Sequence, residues 1–254
     1  MEKNSKIALV TGGSRGLGKD MALKLAEKGI DVILTYHSQE AEAKAVVAAI
    51  EKAGQKAAAL QLDAGVISSF DVFIGRLTGV LKNTFKTDHF DFLVNNAGIG
   101  IYAAFADTTE EQFDLLLNVH FKGAFFLTQK TLPLINDGGR IINISTGLAR
   151  FTNPGYSAYA AMKGAIETLT RYQAKELGGR KIRVNAVAPG AIATDFGGGA
   201  VRDNEYVNQS LAAVTALGRV GLAEDIGGVV AFLCTEDAGW INGQRIEVSG
   251  GMLL

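Results

Sequence analysis

Several residue types are scarce in this chain, and each shortage excludes something. One cysteine, Cys234, among 254 residues rules out an internal disulfide framework and a Cys-rich metal site. It follows the apolar run from Val229 to Leu233, where a buried, inert thiol is expected. His37, His89 and His120 stand far apart without ligand spacing, so no metal centre is expected. A net charge of −1 gives neither the basic footprint of a nucleic-acid binder nor a polyacidic tail. No apolar run is long enough to span a membrane, and the first, Ile7-Ala8-Leu9-Val10, is too short for a signal peptide. The expectation is a soluble, cytoplasmic protein with no membrane and no nucleic-acid partner. Only three prolines argue against a linker-rich chain.

Hydrophobic residues, by contrast, make up 48% of the sequence, and glycine occurs 31 times. Such a chain can bury a sizeable core and make many strand-to-helix turns. Short β-rich runs are expected at Ile7–Val10, Val32–Thr35, Ala57–Leu62, Phe90–Val94, Arg140–Ile144, Arg183–Ala188 and Arg245–Val248. Helical patterns separate them. Leu17, Met21 and Leu25 line one face of the first, with Gly29 as its stop. Ser68-x-x-Asp71 and Thr108-x-x-Glu111 have the form of capping boxes. Strands alternating with helices predict an α/β fold: a single doubly wound parallel sheet of about seven strands, helices on both faces, Rossmann-type. No linker or repeat interrupts it, so residues 1–254 are read as one domain. Gly79 to His89 reads as a surface elaboration, and Phe196–Gly218 as a mobile segment and candidate substrate lid.

The first strand runs into Thr11-Gly12-Gly13-Ser14-Arg15-Gly16-Leu17-Gly18 and then a helix. A strand, a glycine-rich turn and a helix N-terminus together make a cradle for a pyrophosphate. The second strand ends at Tyr36-His37 without the carboxylate that would hold a ribose 2′-hydroxyl and repel a 2′-phosphate. NADP(H) is therefore expected, with Arg15 available to that phosphate.

Tyr159-Ala-Ala-Met-Lys163 places a phenol and an ammonium on one helical face, one turn apart. A cation about 4 Å away, at an effective dielectric near ~20, offers a phenolate roughly 4 kcal/mol. That could lower the tyrosine's pKa by up to about three units, less the cost of burial, and make it a general acid–base at neutral pH.

Gly12-x-x-x-Gly16-x-Gly18, Asn95-Asn96-Ala97-Gly98 after the fourth strand, Asn118, a hydroxyl ending the fifth strand, Tyr159-x-x-x-Lys163 and Pro189-Gly190 occur in that order. Together they resemble the short-chain dehydrogenase/reductase family, most closely its 3-oxoacyl-reductase-like members, from Lys6 to Gly251. The resemblance implies that Tyr159 exchanges a proton with the substrate oxygen, and that Lys163 tunes the tyrosine and holds the nicotinamide ribose. It implies that Asn118 anchors a water of the proton relay. Asn95, Ala97 and Gly98 would line the adenosine side, and Asp63 would accept from the adenine amino group or cap a turn. Pro189, Gly190, Ile192 and Thr194 would hold the carboxamide. The family's substrate-orienting serine lies thirteen positions before the tyrosine, which here is Thr146. Successive strand side chains face opposite ways, so the two hydroxyls are not interchangeable; Thr146 is preferred because it keeps an O–H donor, with Ser145 the alternative if the backbone turns at the strand's end.

What the resemblance implies is an oxidoreductase moving hydride between NADP(H) and a ketone, 3-oxo group or secondary alcohol. The alternatives are an NAD-linked alcohol dehydrogenase and a nucleotide-binding sensor without turnover. Carrier-protein docking through two basic residues is disfavoured, because the corresponding positions are Asp137 and Arg180. A homotetramer is expected, with Phe125, Met162, Ile166 and Leu169 available for contact. Trp240 is assigned to the core or a subunit contact, and Met252-Leu253-Leu254 to a pocket wall or an interface.

Overall fold

A computed structural model describes residues 5–254. Seven parallel strands form one sheet in the order β3-β2-β1-β4-β5-β6-β7. They are β1 (Ile7–Val10), β2 (Asp31–Tyr36), β3 (Ala57–Gln61), β4 (Phe90–Asn95), β5 (Ile135–Ile144), β6 (Arg183–Pro189) and β7 (Arg245–Val248). The side-chain period of two divides each strand between two cores. Ala8 and Val10 pack with Met21 and Leu25 of helix α1 (Gly16–Glu27). Ile7 and Leu9 pack on the opposite face, with Phe70 and Leu77 of α3 (Phe70–Val80), which follows α2 (Glu40–Lys52). Burial on both faces explains why the strands read as short continuous apolar runs.

The chain runs outward from β1 through β2 to β3, then crosses back to β4 on the other side of β1. Where the order reverses, the connections leave β1 and β4 to opposite faces, opening a crevice at their C-terminal ends. Val10 pairs with both Leu34 and Val94, so the glycine-rich turn emerges between the ends of β2 and β4.

Four expectations are corrected. Strand β5 begins at Ile135, because Ile135 pairs with Phe90 before a register shift, across a stretch whose Gly138-Gly139 reads as a turn. The capping box of α4 (Glu110–Leu117) is Thr109 with Gln112, one residue beyond the expected pair, while α3 has no side-chain cap at its start. Gly79–His89 lies at the surface but is not an irregular addition: α3 continues into a π-helical turn, Leu81–Phe85, whose Leu81 and Phe85 are buried in the cluster of Phe73 and Phe90 while its other residues are exposed. Trp240 is fully exposed, which excludes the core.

Candidate active site

The turn after β1 is held from two sides. Gly13 N–H donates to the Thr35 carbonyl at 2.8 Å, and Gly12 N–H to the Thr35 hydroxyl at 3.1 Å. From β4, Asn96 Nδ2 donates to the Thr11 and Gly12 carbonyls, while Thr11 Oγ1 accepts from the N–H groups of Asn96 and Ala97. Asn96, within the Asn95–Gly98 stretch expected to shape the adenosine side, is thus the clamp of the turn. Gly12 and Gly16 take φ +65° and +53°. A Cβ at Gly18 would overlap the Gly12 carbonyl oxygen, so only glycine lets α1 start this close to the turn. Among the described residues, the N–H groups of Gly16, Leu17 and Gly18 find no acceptor, and α1 has neither a side-chain cap nor an acid in its first turn. Free donors, the helix dipole and the absence of a carboxylate fit an anion such as a dinucleotide's pyrophosphate.

Three cofactor assignments look different in three dimensions. Asn95 is buried and donates to Thr128 and Asn143, both at 2.9 Å, so its side chain faces the interior rather than an adenosine. Asp63 caps its own turn, accepting from Gly65 N–H at 2.9 Å, and its other oxygen lies 3.3 Å from His37 Nε2. Arg15 lies 3.7 Å from Asp195 rather than standing free for a phosphate.

Tyr159 and Lys163 lie on α6 (Ser157–Glu176), which buries Tyr159, Met162, Lys163 and Ile166 along one face. Burial pushes the Tyr159 phenol up, with the Thr146 hydroxyl bond pulling the other way and Tyr156 adding to the rise. Burial pushes the Lys163 ammonium down to about 7. Lys163 donates to the Ile144 carbonyl at 2.6 Å, and its Nζ lies 5.8 Å from the centre of the Tyr159 ring. In this state desolvation outweighs the expected downward pull on the phenol. The two hydroxyls at the end of β5 separate cleanly. Ser145 donates to Glu167 at 2.6 Å, inside a cluster with Arg245, whereas Thr146 lies beside Tyr159.

The residue beside Tyr159 on the next helix is His120, which the sequence reading set aside. A π-helical turn, Asn118–Lys122, joins α4 to α5 (Gly123–Thr131) and turns the His120 ring inward. Its ring stands edge-on to Tyr159, centroids 5.0 Å apart. Asn118 is placed otherwise: its Cβ faces Gly65, and it does not line the cavity shared by His120 and Lys163.

Beyond β6, Pro189 and Gly190 lie against β7, where Gly190 N–H donates to the Val248 carbonyl at 3.1 Å. Ile192 bridges to Gly221, and the Thr194 side chain abuts Gly16. The following segment carries α7 (Ala200–Asp203) and α8 (Glu205–Ala213) after three glycines, 197–199, all with positive φ. At its entry Phe196 packs on Tyr159, ring centres 5.8 Å apart, and Asp195 also pairs with Arg202. Its far end is fastened, because Thr215 bridges to Met252 and Leu217 N–H donates to the Gly250 carbonyl. The C-terminal residues therefore clasp this segment.

A doubly wound sheet whose uncapped glycine turn and buried tyrosine–lysine helix meet at the switch point is the build of a dinucleotide-dependent oxidoreductase. The chain belongs to the short-chain dehydrogenase/reductase family: the family profile described as enoyl-(acyl carrier protein) reductase matches residues 12–253. It is 37% identical to the hydroxynaphthalene reductase-like protein Arp2 of Metarhizium brunneum, over 97% of this chain and 94% of that protein. Among solved structures it is similar to the promiscuous reductase LugOII, which catalyses keto-reduction at C1 during lugdunomycin biosynthesis. The TM-score is 0.94 at 40% identity, with both chains covered in full. The landomycin C-6 ketoreductase LanV with bound NADP and rabelomycin superposes with a TM-score of 0.89 at 39% identity, over 98% of this chain and 96% of that one.

Proposed function

We propose that this oxidoreductase uses NADPH to reduce a ring ketone of an aromatic, polycyclic substrate. The observation carrying the reading is the junction of Tyr159, Lys163 and Thr146 at the mouth of the switch-point crevice. Gly12, Ser14, Arg15, Gly16, Leu17 and Gly18 would hold NADPH at the glycine turn, with Pro189, Gly190, Ile192 and Thr194 toward its nicotinamide end, and the bound cofactor would supply the hydride. The protein residues do the rest. Thr146 donates to the substrate oxygen, Tyr159 delivers its proton, and Lys163 returns a proton to Tyr159 while fixing the ribose. A ring ketone is favoured over a carrier-bound chain on two grounds. Arg180 already pairs with Asp137 at 2.7 Å, which leaves no basic pair for an acidic carrier. Tyr102 and Tyr156, stacked edge-on at 5.5 Å, and Phe196 present aromatic surface around Tyr159. LugOII, which catalyses keto-reduction at C1 during lugdunomycin biosynthesis, and LanV, a landomycin C-6 ketoreductase with bound NADP and rabelomycin, support ketone reduction with NADPH.

The Phe196–Gly218 segment serves as the substrate lid, hinged on its three glycines, and the whole chain acts as one domain. The working form is a cytoplasmic homotetramer. Among the described residues no helix is long and apolar enough to cross a membrane. A test follows NADPH oxidation with a panel of polycyclic aromatic ketones against straight-chain 3-oxoacyl thioesters. Turnover of the ring ketones is expected, with Tyr159→Phe reducing kcat by about 10²–10⁴-fold. NADPH binding with no turnover of any ketone would favour a sensor instead.

A further inference from the structure

Three consecutive residues at the end of β5 are each tied to one face of α6, and the last of them is Thr146. Tyr159, Lys163 and Glu167 follow at four-residue intervals, so they stand in a row down that face. Lys163 Nζ donates to the Ile144 carbonyl at 2.6 Å, and Ser145 Oγ donates to Glu167 Oε1, also at 2.6 Å. The third tie runs through Arg245, at the start of β7. Its Nε donates to the same Glu167 oxygen at 2.6 Å, and its Nη2 to the Thr146 carbonyl at 3.2 Å. Its Nη1 donates to Glu247 at 2.9 Å, and Arg150 holds that carboxylate too, at 3.0 Å.

Thr146 needs such support. Pairing of β5 with β6 stops at Ile144 and Val187, with one further bond from Ser145 N–H to the Val187 carbonyl. Thr146 therefore stands past the sheet, where the chain enters a short helical turn, Gly147–Ala149. Its hydroxyl oxygen accepts from Leu148 N–H at 3.3 Å, which leaves the O–H hydrogen for Tyr159 or a substrate oxygen. The Arg245 guanidinium spends three donors on three acceptors: Glu167 on α6, Glu247 on β7, and the main chain of Thr146. A planar fork held this way fixes direction as well as distance. The side chains of Glu167, Arg245 and Glu247 are only 14%, 21% and 19% exposed, so the charges pair in partial shelter from water and salt.

Resting on the reading of Thr146 as the donor to the substrate oxygen, we propose that Glu167 and Arg245 are positioning residues for the reaction. Their ion pair fixes the Thr146 main chain against α6, so that its hydroxyl and the Tyr159 phenol converge on one carbonyl oxygen. Both act through Thr146 rather than on the substrate. Misplacing an orienting group by about 1 Å can cost ~10²-fold in rate, so a tie outside the site can set the rate within it.

Structure and rate test this separately. In a crystal structure of Arg245→Met, the Thr146 hydroxyl should shift by about 1 Å from its wild-type place beside Tyr159, or lose its single conformation. An ordered, unmoved Thr146 overturns the proposal whether or not any ketone is turned over. In steady-state assays with NADPH and a ketone that the wild-type enzyme reduces, Arg245→Met should lower kcat at least ~10-fold, with NADPH affinity within about twofold. Glu167→Gln keeps an acceptor for Ser145 and Arg245, and should recover part of what Glu167→Ala loses. Arg245→Lys serves if the methionine variant does not fold, and should show a smaller loss of the same pattern. A double-mutant cycle with Thr146→Val reads the coupling: once the hydroxyl is gone, Arg245→Met should cost less than about twofold more. Equal losses in the two backgrounds would mark Arg245 as purely structural and overturn the assignment, as would unchanged kcat in Arg245→Met. Full activity in Thr146→Val would overturn the reading of the site and this proposal with it. Loss there without loss in Arg245→Met overturns the proposal alone.

Discussion

Lys163 carries a cost at the residue scale that the sequence pattern alone conceals. Its ammonium is buried, and its pKa falls from the usual lysine range to about 7. The unfolded chain, with a lysine near ~10.4, therefore binds one more proton than the native state between pH ~7 and ~10. Stability rises with pH wherever the unfolded state holds the extra proton, so this group's penalty is full below pH 7 and is relieved toward pH 10. Chemical denaturation at pH 7 and pH 9.5 should show wild type gaining up to ~3 kcal/mol relative to Lys163→Met. Equal slopes in the two proteins would mean that the ammonium is not buried. The placing of Tyr159 and Lys163 on one buried helical face was legible in the sequence because it follows from spacing along one helix, while Thr146 was expected from the family resemblance. His120 was not. Its place depends on a ring from one helix meeting a ring from another, and no local pattern records that.

At the scale of elements, the strands were legible to within about a residue at each end except at the start of β5, since an apolar run between turn residues is a local signal. Helix phase was less so. Each π-helical turn, Leu81–Phe85 and Asn118–Lys122, adds residues to a turn and changes which side chains face inward. That is why Gly79–His89 read as an elaboration and Asn118 as the inward residue. The Thr108 box failed for a smaller reason: Thr109-x-x-Gln112 has the same form one step along, and only packing chooses between them. The start of α1 makes a sharper prediction. Gly18→Ala sets a methyl against the Gly12 carbonyl, so the helix must retreat from the turn. It should cost about 1–3 kcal/mol by thermal unfolding and lower nucleotide affinity at least ~10-fold. Gly29→Ala, with open space but φ +77°, should lose stability alone.

For the whole molecule, the doubly wound sheet was legible because strand–helix alternation leaves few alternatives. The apolar surface expected for subunit contact was not. Met162 and Ile166, expected there, are buried within the chain itself. Exposed apolar side chains instead include Phe113 and Leu115 on α4, Tyr172 on α6, and Trp240 and Leu254 near the C-terminus. Exposed apolar side chains on α4, on α6 and near the C-terminus would suit contacts with other subunits. Sedimentation should give a tetramer for wild type. A Tyr172→Glu and Phe113→Glu double variant should be smaller, and a wild-type monomer at micromolar concentration would end the assignment.

The contact between Arg15 and Asp195 has a consequence for binding strength. An arginine already engaged by a carboxylate cannot add its full attraction to an incoming phosphate, because one anion has to displace another. Added electrolyte loosens the internal pair along with the external one, so the two losses partly cancel. Affinity for the phosphorylated nucleotide should then decline less steeply with ionic strength than a solvent-facing guanidinium would dictate. The same exchange leaves Asp195, at the entrance to the Phe196 segment, paired with Arg202 alone.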